Sequence, residues 1–510
     1  MEKYNSYAEQ GAFIQIPVCD KVITQELSGD FTLPDYQPEI KRLLRITASV
    51  LPASGYFGTS DAEFSGNIDY YVLYTGSDNE VYCAPLTAEY SVSVPIDCDD
   101  MGAGFEGSAH IVSDSVSGRV VAPRKLSIRC RLKTNAHIYS ILPLGGDFGS
   151  DVDPAAVEKL NGEVNAARIY RATGEIMRLN DEIIPDSRSA DIRVICAEGK
   201  VMINEVNSNA GEVNCRGDVH MKVMMSKENG SEPYSVVRKM PFSQNIPIEG
   251  VSFDCNAYAS GTVSELSVSV EEGRISIDAG VIIQAEAQKN ENIGYVKDMY
   301  STVCDTECEY RQLGVPVAKG SFNGNFTLSD SLSLEEAGIN PASGIVDCTG
   351  TAYVEDCAHE KGKCVISGKG KFSLILERDN EYSTNEIEFP FKYELDCPEG
   401  TVGTDCRSDV ISCRARLDGE RIGIDAEIAI CGRNFGIENI SALTAVHFGE
   451  QLKGSCGEYV ICFPAKDDTL WSVAQRYRTH ISSLIDANQL SDNCSPDAPA
   501  SLEGINYLII

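Results

Sequence analysis

The sequence predicts a mainly β protein, with three tandem β-rich, sandwich- or barrel-like repeats of about 150 residues followed by a small βααβ module. Two observations support this prediction. Similar segments recur at a nearly constant interval through most of the chain, and apolar and polar residues alternate within them, as is typical of half-buried strands. The last part of the chain changes to the spacing of amphipathic helices.

The recurring interval is clearest in three segments that begin with glycine. They start at Gly66, Gly217 and Gly368, and the starting glycines are 151 residues apart both times. Each segment continues through a polar turn into a second strand-like run. Two further markers keep a similar interval: one begins at Arg124, Gly273 and Glu420, and the other at Gly29 and Gly324. Three markers with one spacing indicate a triplicated unit.

Domain boundaries are predicted at the ends of the repeats. The predicted domains are residues 1–150, 151–300, 301–455 and 456–510. A chain of 510 residues is too long for a single hydrophobic core, which agrees with several domains. Only short helices are expected within the repeats. One candidate runs from Pro38 to Leu44, with the proline at a favourable first-turn position.

Composition excludes some classes of function. The net charge of −33 comes from 76 acidic and 43 basic residues, which argues against nucleic acid as a partner because phosphate binding requires a basic surface. The short basic stretch between Ile40 and Arg45 is interpreted as a solvated helix face, and the alternative is that it contacts an acidic partner. Neither a secretory signal nor a long apolar stretch is found, so a cytoplasmic protein without a transmembrane segment is expected.

Cysteine usage leaves two interpretations open. The chain has 19 cysteines but no CxxC motif, and the nearest pair is Cys304 and Cys308, so a zinc site is not favoured. In a reducing compartment these residues are expected to be small buried hydrophobic side chains. The alternative is that some of them cross-link later, in an assembled structure.

Catalytic motifs are not found in the sequence. The six histidines lie far apart without HExxH or HxH spacing, and the stretch from Gly368 to Lys371 lacks the spacing of a phosphate-binding loop. No GxSxG motif occurs, and carboxylates are too numerous for one pair to stand out as a glycosidase dyad. The sequence therefore predicts a protein that is not an enzyme and binds neither a metal nor a cofactor.

The residues after Cys456 have the pattern of a complete small domain. Strands are predicted at Tyr459–Ile461 and at Leu508–Ile510. Two amphipathic helices lie between them. Leu470, Val473, Ala474 and Tyr477 form one apolar face of the first, and Ile481, Leu484, Ile485 and Asn488 repeat that spacing in the second. Asp468 is the predicted N-cap of the first helix, because its carboxylate can accept from free backbone N–H groups.

This module resembles a LysM domain. The resemblance rests on Tyr459-x-Ile461, on the run Asp468-Thr469-Leu470-Trp471-x-Val473-Ala474, and on Leu484, Asn488 and Leu490. It implies a shallow groove for glycans that contain N-acetylglucosamine, between the loop after the first strand and the loop after the second helix. By resemblance, the groove residues are Asp467, Asp468, Thr469, Leu470, Asn488 and Leu490.

Two departures from the family pattern affect this groove. Asp467 stands where the family usually has glycine, and the segment from Ser491 to Gly504 is longer than usual and carries Cys494. Both changes are expected to close or reshape the groove. Trp471, the single tryptophan of the chain, lies at the edge of the apolar helix face and is predicted to be a partner-binding anchor. The alternative is that it covers the seam between helix and sheet.

The repeats resemble the SPOCS repeat of spore-coat-associated proteins. The first repeat carries the resemblance from Gly29 to Leu44 and from Gly66 to Tyr74. The second repeat, beginning near Ala190, lacks the Leu-Pro-Asp motif, and the third has Ser329 where the family has proline. Three such repeats followed by LysM resemble the architecture of SipL-type coat-assembly proteins of anaerobic spore-formers.

This resemblance implies a scaffold that is not an enzyme, in the mother-cell cytoplasm at the forespore surface. It is expected to tether the coat-basement ATPase (SpoIVA-type) through the LysM module and to contact other coat proteins. The second hypothesis is a peptidoglycan-binding protein whose repeats form a stalk or adaptor. A cell-wall hydrolase of unrecognised type is the third.

Overall fold

The computed structural model of the protein is mainly β, as predicted, with two short helices near the C-terminus. The residues that it describes are 13–98, 104–144, 153–184, 192–227, 233–271, 273–341, 344–360, 362–379, 381–452, 460–490, 496–498, 502 and 504–510. Tyr459, Cys456 and Cys494, which the sequence analysis named, lie outside these residues.

The first repeat forms two antiparallel sheets. Its strands are β1 (Phe13–Thr32), β2 (Arg42–Val50), β3 (Ser54–Phe57), β4 (Asp61–Thr75), β5 (Val81–Pro95), β6 (Phe105–Ala122) and β7 (Lys125–Pro143). In the meander sheet, β4 pairs with β2 and β3 on one side and with β5 on the other. In the closing sheet, the first strand β1 pairs with β7, which also pairs with β6.

The same topology follows twice more along the chain. The second repeat has β8 (Val157–Thr173), after a 3-10 turn at Pro154–Ala156, then β9 (Met177–Ile183), β10 (Ile192–Asn209), β11 (Glu212–Lys227), β12 (Tyr234–Pro247), β13 (Asn256–Glu271) and β14 (Arg274–Ser301). The third has β15 (Cys304–Ser333), β16 (Gly344–Glu360), β17 (Lys363–Arg378), β18 (Glu381–Asp396), β19 (Gly403–Asp418) and β20 (Arg421–Gln451). Their meander sheets are β10-β11-β12 and β16-β17-β18, and their closing sheets are β8/β9-β14-β13 and β15-β20-β19.

The glycines that mark the 151-residue interval occupy one place in this topology. Each lies in the middle strand of a meander sheet, opposite an aromatic residue of the next strand; the pairs are Gly66–Tyr90, Gly217–Phe242 and Gly368–Phe391. A Cβ at Gly368 would lie 2.3 Å from the Tyr353 carbonyl oxygen and 2.5 Å from the Phe391 ring. The close approach of backbone and ring therefore requires glycine, and the aromatic ring covers the gap that it leaves.

The marker shared by Gly29 and Gly324 behaves differently. Both residues lie in first strands, β1 and β15, but the strands pair with different registers. Phe31 is opposite Leu126, the second residue of β7, whereas Phe326 is opposite Ile428, the eighth residue of β20. The sequence similarity at this marker thus does not align equivalent positions of the two closing sheets.

Equivalent residues of the three repeats meet at the centre of the molecule. Leu73, Met224 and Ile375, which are 151 residues apart in the sequence, belong to one buried cluster. The cluster also contains Leu44 and Ile195, which are again 151 residues apart. The three meander sheets are therefore arranged about an approximate threefold axis.

The predicted helix from Pro38 to Leu44 is wrong. Pro38 to Lys41 have no regular secondary structure, and Arg42–Val50 is strand β2, which pairs with β4. The interpretation of the basic stretch as a solvated face fails at Arg45, which is 7% exposed and whose Nη2 donates to Asp347 at 2.7 Å. A β-bulge between Leu43 and Arg45 directs this side chain to the centre of the molecule, and burial of a charge requires such a partner.

The C-terminal module has the predicted strand, helix, helix, strand order. It consists of β21 (Ile461–Cys462), α1 (Leu470–Tyr477), α2 (Ile481–Asn488) and β22 (Leu508–Ile509). The two strands pair antiparallel, with Ile461 opposite Ile509 and Cys462 opposite Leu508.

Candidate binding site in the C-terminal module

The first helix of the module begins at a different residue from the one predicted. Thr469, not Asp468, is the N-cap: its side chain accepts from the Ser472 N–H, and the Ser472 side chain accepts from the Thr469 N–H. The Asp468 carboxylate accepts instead from the Ala465 N–H at 2.9 Å and from Arg476 at 2.6 Å. These hydrogen bonds, that of Arg476 first, lower the pKa of Asp468. Either residue type suits a cap, and the local chain geometry decides between them.

Several predicted groove residues hold the module together. Leu470 is fully buried in the module core, and Asp468 is 8% exposed. The Asn488 amide nitrogen donates to the Ile509 carbonyl and its oxygen accepts from the Ile509 N–H, so Asn488 joins α2 to β22. Leu490 is half-buried and its N–H donates to the Ile485 carbonyl at the end of α2. These residues therefore contribute to the internal structure of the module.

A group of exposed apolar residues lies in the two strands of the module and next to them. Asp467 is exposed, and close to it in sequence Phe463 is 74% and Ile461 58% exposed. Tyr507, which directly precedes the partner strand β22, is 54% exposed. We call Ile461, Phe463 and Tyr507 the exposed face of the module. Sequence reasoning missed it, although alternation about the buried Cys462 places Ile461 and Phe463 on the opposite side of the strand.

Trp471 is buried between the module and the second repeat. The side chain is 5% exposed, and its ring makes an edge contact with Tyr300 of β14 at 4.9 Å between centroids. Its Nε1 donates to Asp298 at 2.8 Å. A partner that used this ring would have to displace Tyr300. Partner binding through Trp471 therefore stays a prediction, and in this structure its neighbour is the chain itself.

Asp298 is the polar centre of this contact. Its carboxylate accepts from Trp471, from Gln475 at 3.2 Å and from the Tyr310 hydroxyl. A β-bulge between Val296 and Asp298 interrupts the pairing of β14 with β8, and such a bulge re-aims a side chain out of the regular alternation. Burial and the neighbouring carboxylate raise the pKa of Tyr310, so its hydroxyl remains a donor.

Polar contacts around Trp471 fix the orientation of the module. The Tyr300 hydroxyl donates to the Thr479 carbonyl at 2.8 Å, and Arg478 donates to Thr306 at 2.9 Å. His480 Nδ1 lies 2.8 Å from Glu158, and Lys297 Nζ lies 2.9 Å from Asp497.

Asp497 belongs to the long segment after α2, and the neighbouring Pro496 carbonyl accepts from the Trp471 N–H. The described part of that insertion thus takes part in docking.

Two other sites contain polar groups. Asp20, His137 and Asp405 lie close enough to share a cation, but the Arg433 guanidinium already donates to Asp405 at 2.8 Å, which disfavours a metal there. A cavity of about 580 Å³ lies where the three repeats meet. The charged residues that line this cavity include Lys200, which pairs with Asp409. Because both positive and negative side chains line the cavity, it does not indicate a single class of ligand.

Cys98 aside, the cysteines of the described residues are free thiols, and no described cysteine is exposed. No helix among the described residues has the length and apolar character needed to cross a bilayer.

Comparisons with known proteins identify two parts of the chain. Residues 191–271 match the family model described as SipL, SPOCS domain, and residues 465–493 match the LysM domain model. The first match covers β10 to β13 of the second repeat, the repeat that lacks the Leu-Pro-Asp motif. Searches of curated proteins and of solved structures found no match. The chain therefore carries a SPOCS domain and a LysM domain, in the order that the sequence analysis expected.

Proposed function

We propose that this protein is a spore-envelope assembly scaffold without enzymatic activity, which tethers the coat-basement ATPase (SpoIVA-type) to the forespore surface through its LysM module. The matches to the SPOCS and LysM models support a sporulation-related protein with a module capable of peptidoglycan binding. Its place of action in this proposal is the mother-cell side of the forespore surface, where it also contacts other coat proteins.

The observation that carries the proposal is the docking of the module. Trp471, Gln475 and Arg478 fix the module against the second and third repeats, while each side chain of the exposed face stays more than half exposed. Large exposed apolar side chains with polar neighbours mark protein interaction sites, and aromatic residues often dominate their binding energy. A rigid body with one oriented recruiting surface suits a tether better than a flexible stalk does.

Pull-down from sporulating cells, and with purified ATPase, tests the proposal. The full chain should retain the ATPase, and a chain without residues 456–510 should lose it while keeping its β circular dichroism signal. Phe463→Ala should weaken binding at least about tenfold, the effect of losing a strong aromatic contact. Phe253→Ala is the matched control, since Phe253 is 75% exposed on the second repeat and Phe463 is 74% exposed. Full ATPase retention by the shortened chain would refute the proposal.

The second candidate is a peptidoglycan-binding protein, with the repeats as an adaptor. The LysM match and the exposed Phe463 and Tyr507 rings favour it, because aromatic faces combine apolar area with polar edges. Retention of the full chain on purified peptidoglycan, without retention of the ATPase, would select this function. Clearing of peptidoglycan in a zymogram would instead indicate a hydrolase.

A further inference from the structure

Two pairs of thiols are in contact in the third repeat. The Sγ atoms of Cys357 and Cys406 are 3.4 Å apart, and those of Cys348 and Cys413 are 3.5 Å apart. A disulfide requires about 2.0 Å between sulfurs, so a small displacement of either side chain suffices in each pair. The two partners of each pair are 49 and 65 positions apart in the sequence but in contact in the fold.

Both pairs join the same two edge strands. Cys348 and Cys357 lie on β16, the edge of the meander sheet, and Cys406 and Cys413 lie on β19, the edge of the closing sheet. Within the described residues no backbone pairing connects these strands. Two bridges would therefore link the two sheets covalently, at two places along the seam between them.

The equivalent positions of the other repeats contain no cysteine pair. The places of Cys348 and Cys413 are taken by Ile46 and Val116 in the first repeat and by Ala197 and Leu266 in the second. The places of Cys357 and Cys406 are taken by Val206 and Ala259 in the second repeat. Apolar side chains thus suffice to pack this seam in the other repeats. In the third repeat, by contrast, both residues of each pair are cysteines.

The two pairs differ in access and reactivity. Cys357 and Cys406 are both half-buried, whereas Cys348 is 5% exposed. The hydrogen bond that Cys357 shares with Cys406 lowers the pKa of Cys357, while contact with Cys413 and burial raise the pKa of Cys348. Since the thiolate is the nucleophile in thiol oxidation, Cys357 is the expected first site of attack.

We propose that the two pairs are an oxidative modification site, at which hydroperoxides convert four thiols into two disulfides that join β16 to β19. The Cys357 thiolate attacks an oxygen of hydrogen peroxide, the O–O bond breaks and the sulfenic acid forms, while the departing hydroxide takes up the proton that the Cys357 thiol had released and leaves as water. Cys406 sulfur then attacks the Cys357 sulfur, the S–O bond breaks, and the Cys406 proton leaves with the second water. Each bridge thus takes two electrons from two sulfurs and reduces one peroxide.

The oxidised protein would keep its third repeat folded under conditions that unfold the other two. A crosslink restricts the unfolded state of the segment that it closes, and these bridges close segments within the third repeat only. This property concerns the persistence of the assembled protein and does not depend on which partner the module binds.

Peptide mapping of the full chain after titration with hydrogen peroxide tests the proposal. We expect non-reduced peptides that join Cys357 to Cys406 first and Cys348 to Cys413 later, with a loss of two titratable thiols per bridge and recovery on reduction. Limited proteolysis should then spare the third repeat while cleaving the first two. Cys357→Ser should remove the first bridge only, and Cys397→Ser, a half-buried thiol of the same repeat, should remove neither.

Three results would overturn the proposal. Persistence of these four thiols while other cysteines oxidise would show that the contacts are only packing. Bridges formed indiscriminately among many cysteines would show that the site is not selective. Purification of the protein with zinc that is lost in Cys357→Ser would assign the thiols to a metal instead.

Discussion

The repeats and the C-terminal module bury their apolar residues in different ways. Each repeat has a core cluster drawn from its own two sheets. The module core contains Leu470, Val473 and Leu508 together with Tyr300, a fully buried residue of the second repeat. A repeat therefore supplies its own core, whereas the module core is completed by the body on which it docks. The sequence pattern of residues 456–510 is that of a complete small domain, which we predict can fold alone, and Tyr300 is the residue at which this prediction is tested most directly.

The joints between these parts differ as well. The repeats meet at buried charges: Asp347, with 1% side-chain exposure, pairs with Arg45 at 2.7 Å and also with Lys222. The module joint has two buried rings, those of Trp471 and Tyr300, the Asp298 carboxylate, and a rim of partly exposed ion pairs such as Arg478–Asp305. Removing one partner of a buried pair leaves a charge without compensation, while exposed pairs contribute little. The joint between repeats should therefore be the more sensitive of the two.

The largest expected effect is that of Asp347→Ala. The substitution leaves the buried Arg45 with only the more distant Glu198 carboxylate, at 3.6 Å, and Lys222 without its Asp347 partner, so it should cost about 3–5 kcal/mol of unfolding free energy. Chemical denaturation followed by circular dichroism measures it. Asp35→Ala is the control, because the fully exposed Asp35 lies 3.7 Å from Arg124 and should change stability by less than about 1 kcal/mol. Equal effects of the two substitutions would mean that the central charges do not hold the repeats together.

Trp471→Ala and Tyr300→Ala should destabilise the module next most strongly. Each removes a buried aromatic ring from the shared core, at a cost of about 3–5 kcal/mol if the space does not collapse. Because Trp471 is the single tryptophan of the chain, its fluorescence reports on docking without a label. Tyr300→Ala should shift the emission to longer wavelength and lower the module transition, while the β signal of the repeats persists. An unshifted emission would mean that the module core is complete without the repeat.

A smaller effect is expected for Asp298→Ala. It removes the carboxylate that accepts from Trp471 Nε1 and Gln475 but keeps the ring contact. The free energy needed to undock the module should therefore fall by about 1–3 kcal/mol. The combination with Trp471→Phe measures the coupling, since phenylalanine keeps a ring without the donor. If the two effects simply add, the hydrogen bond does not stabilise the joint.

The smallest expected difference between the repeats and the module is in how their stability depends on pH. Burial lowers the pKa of His220, whose ring nitrogens have no hydrogen-bond partner, and also that of His110. Below pH about 6.5 the unfolded chain then binds protons that the folded repeats do not, so their stability falls as the pH drops. The lowered pKa of Asp468 acts only below pH about 4, where the module loses stability. Thermal melts with His220→Leu, followed separately by β signal and tryptophan emission, should show a weaker loss below pH 6.5 for the repeats alone.

Much of the fold follows from local pattern. The 151-residue interval rests on glycines that the close approach of neighbouring strands requires, so the sequence could reveal it. The two module helices followed from apolar spacing and were found at Leu470–Tyr477 and Ile481–Asn488. The errors came where local and long-range preferences conflict. Pro38 to Leu44 has a plausible helical start, but pairing of β2 with β4 and the contact of Arg45 with Asp347 prevail.

The sequence by itself determined the β class, the triplication and the presence of a LysM module, because periodicity, glycine placement and family motifs are local properties of the chain. Only the tertiary structure decided that Trp471 meets Tyr300 and Asp298, and that Cys357 meets Cys406. These contacts join residues 171, 173 and 49 positions apart, and they depend on a bulge at Asp298 and on the approach of two sheet edges. The register of the strands and the packing of the sheets determine these contacts, and the sequence pattern of a single segment specifies neither of them.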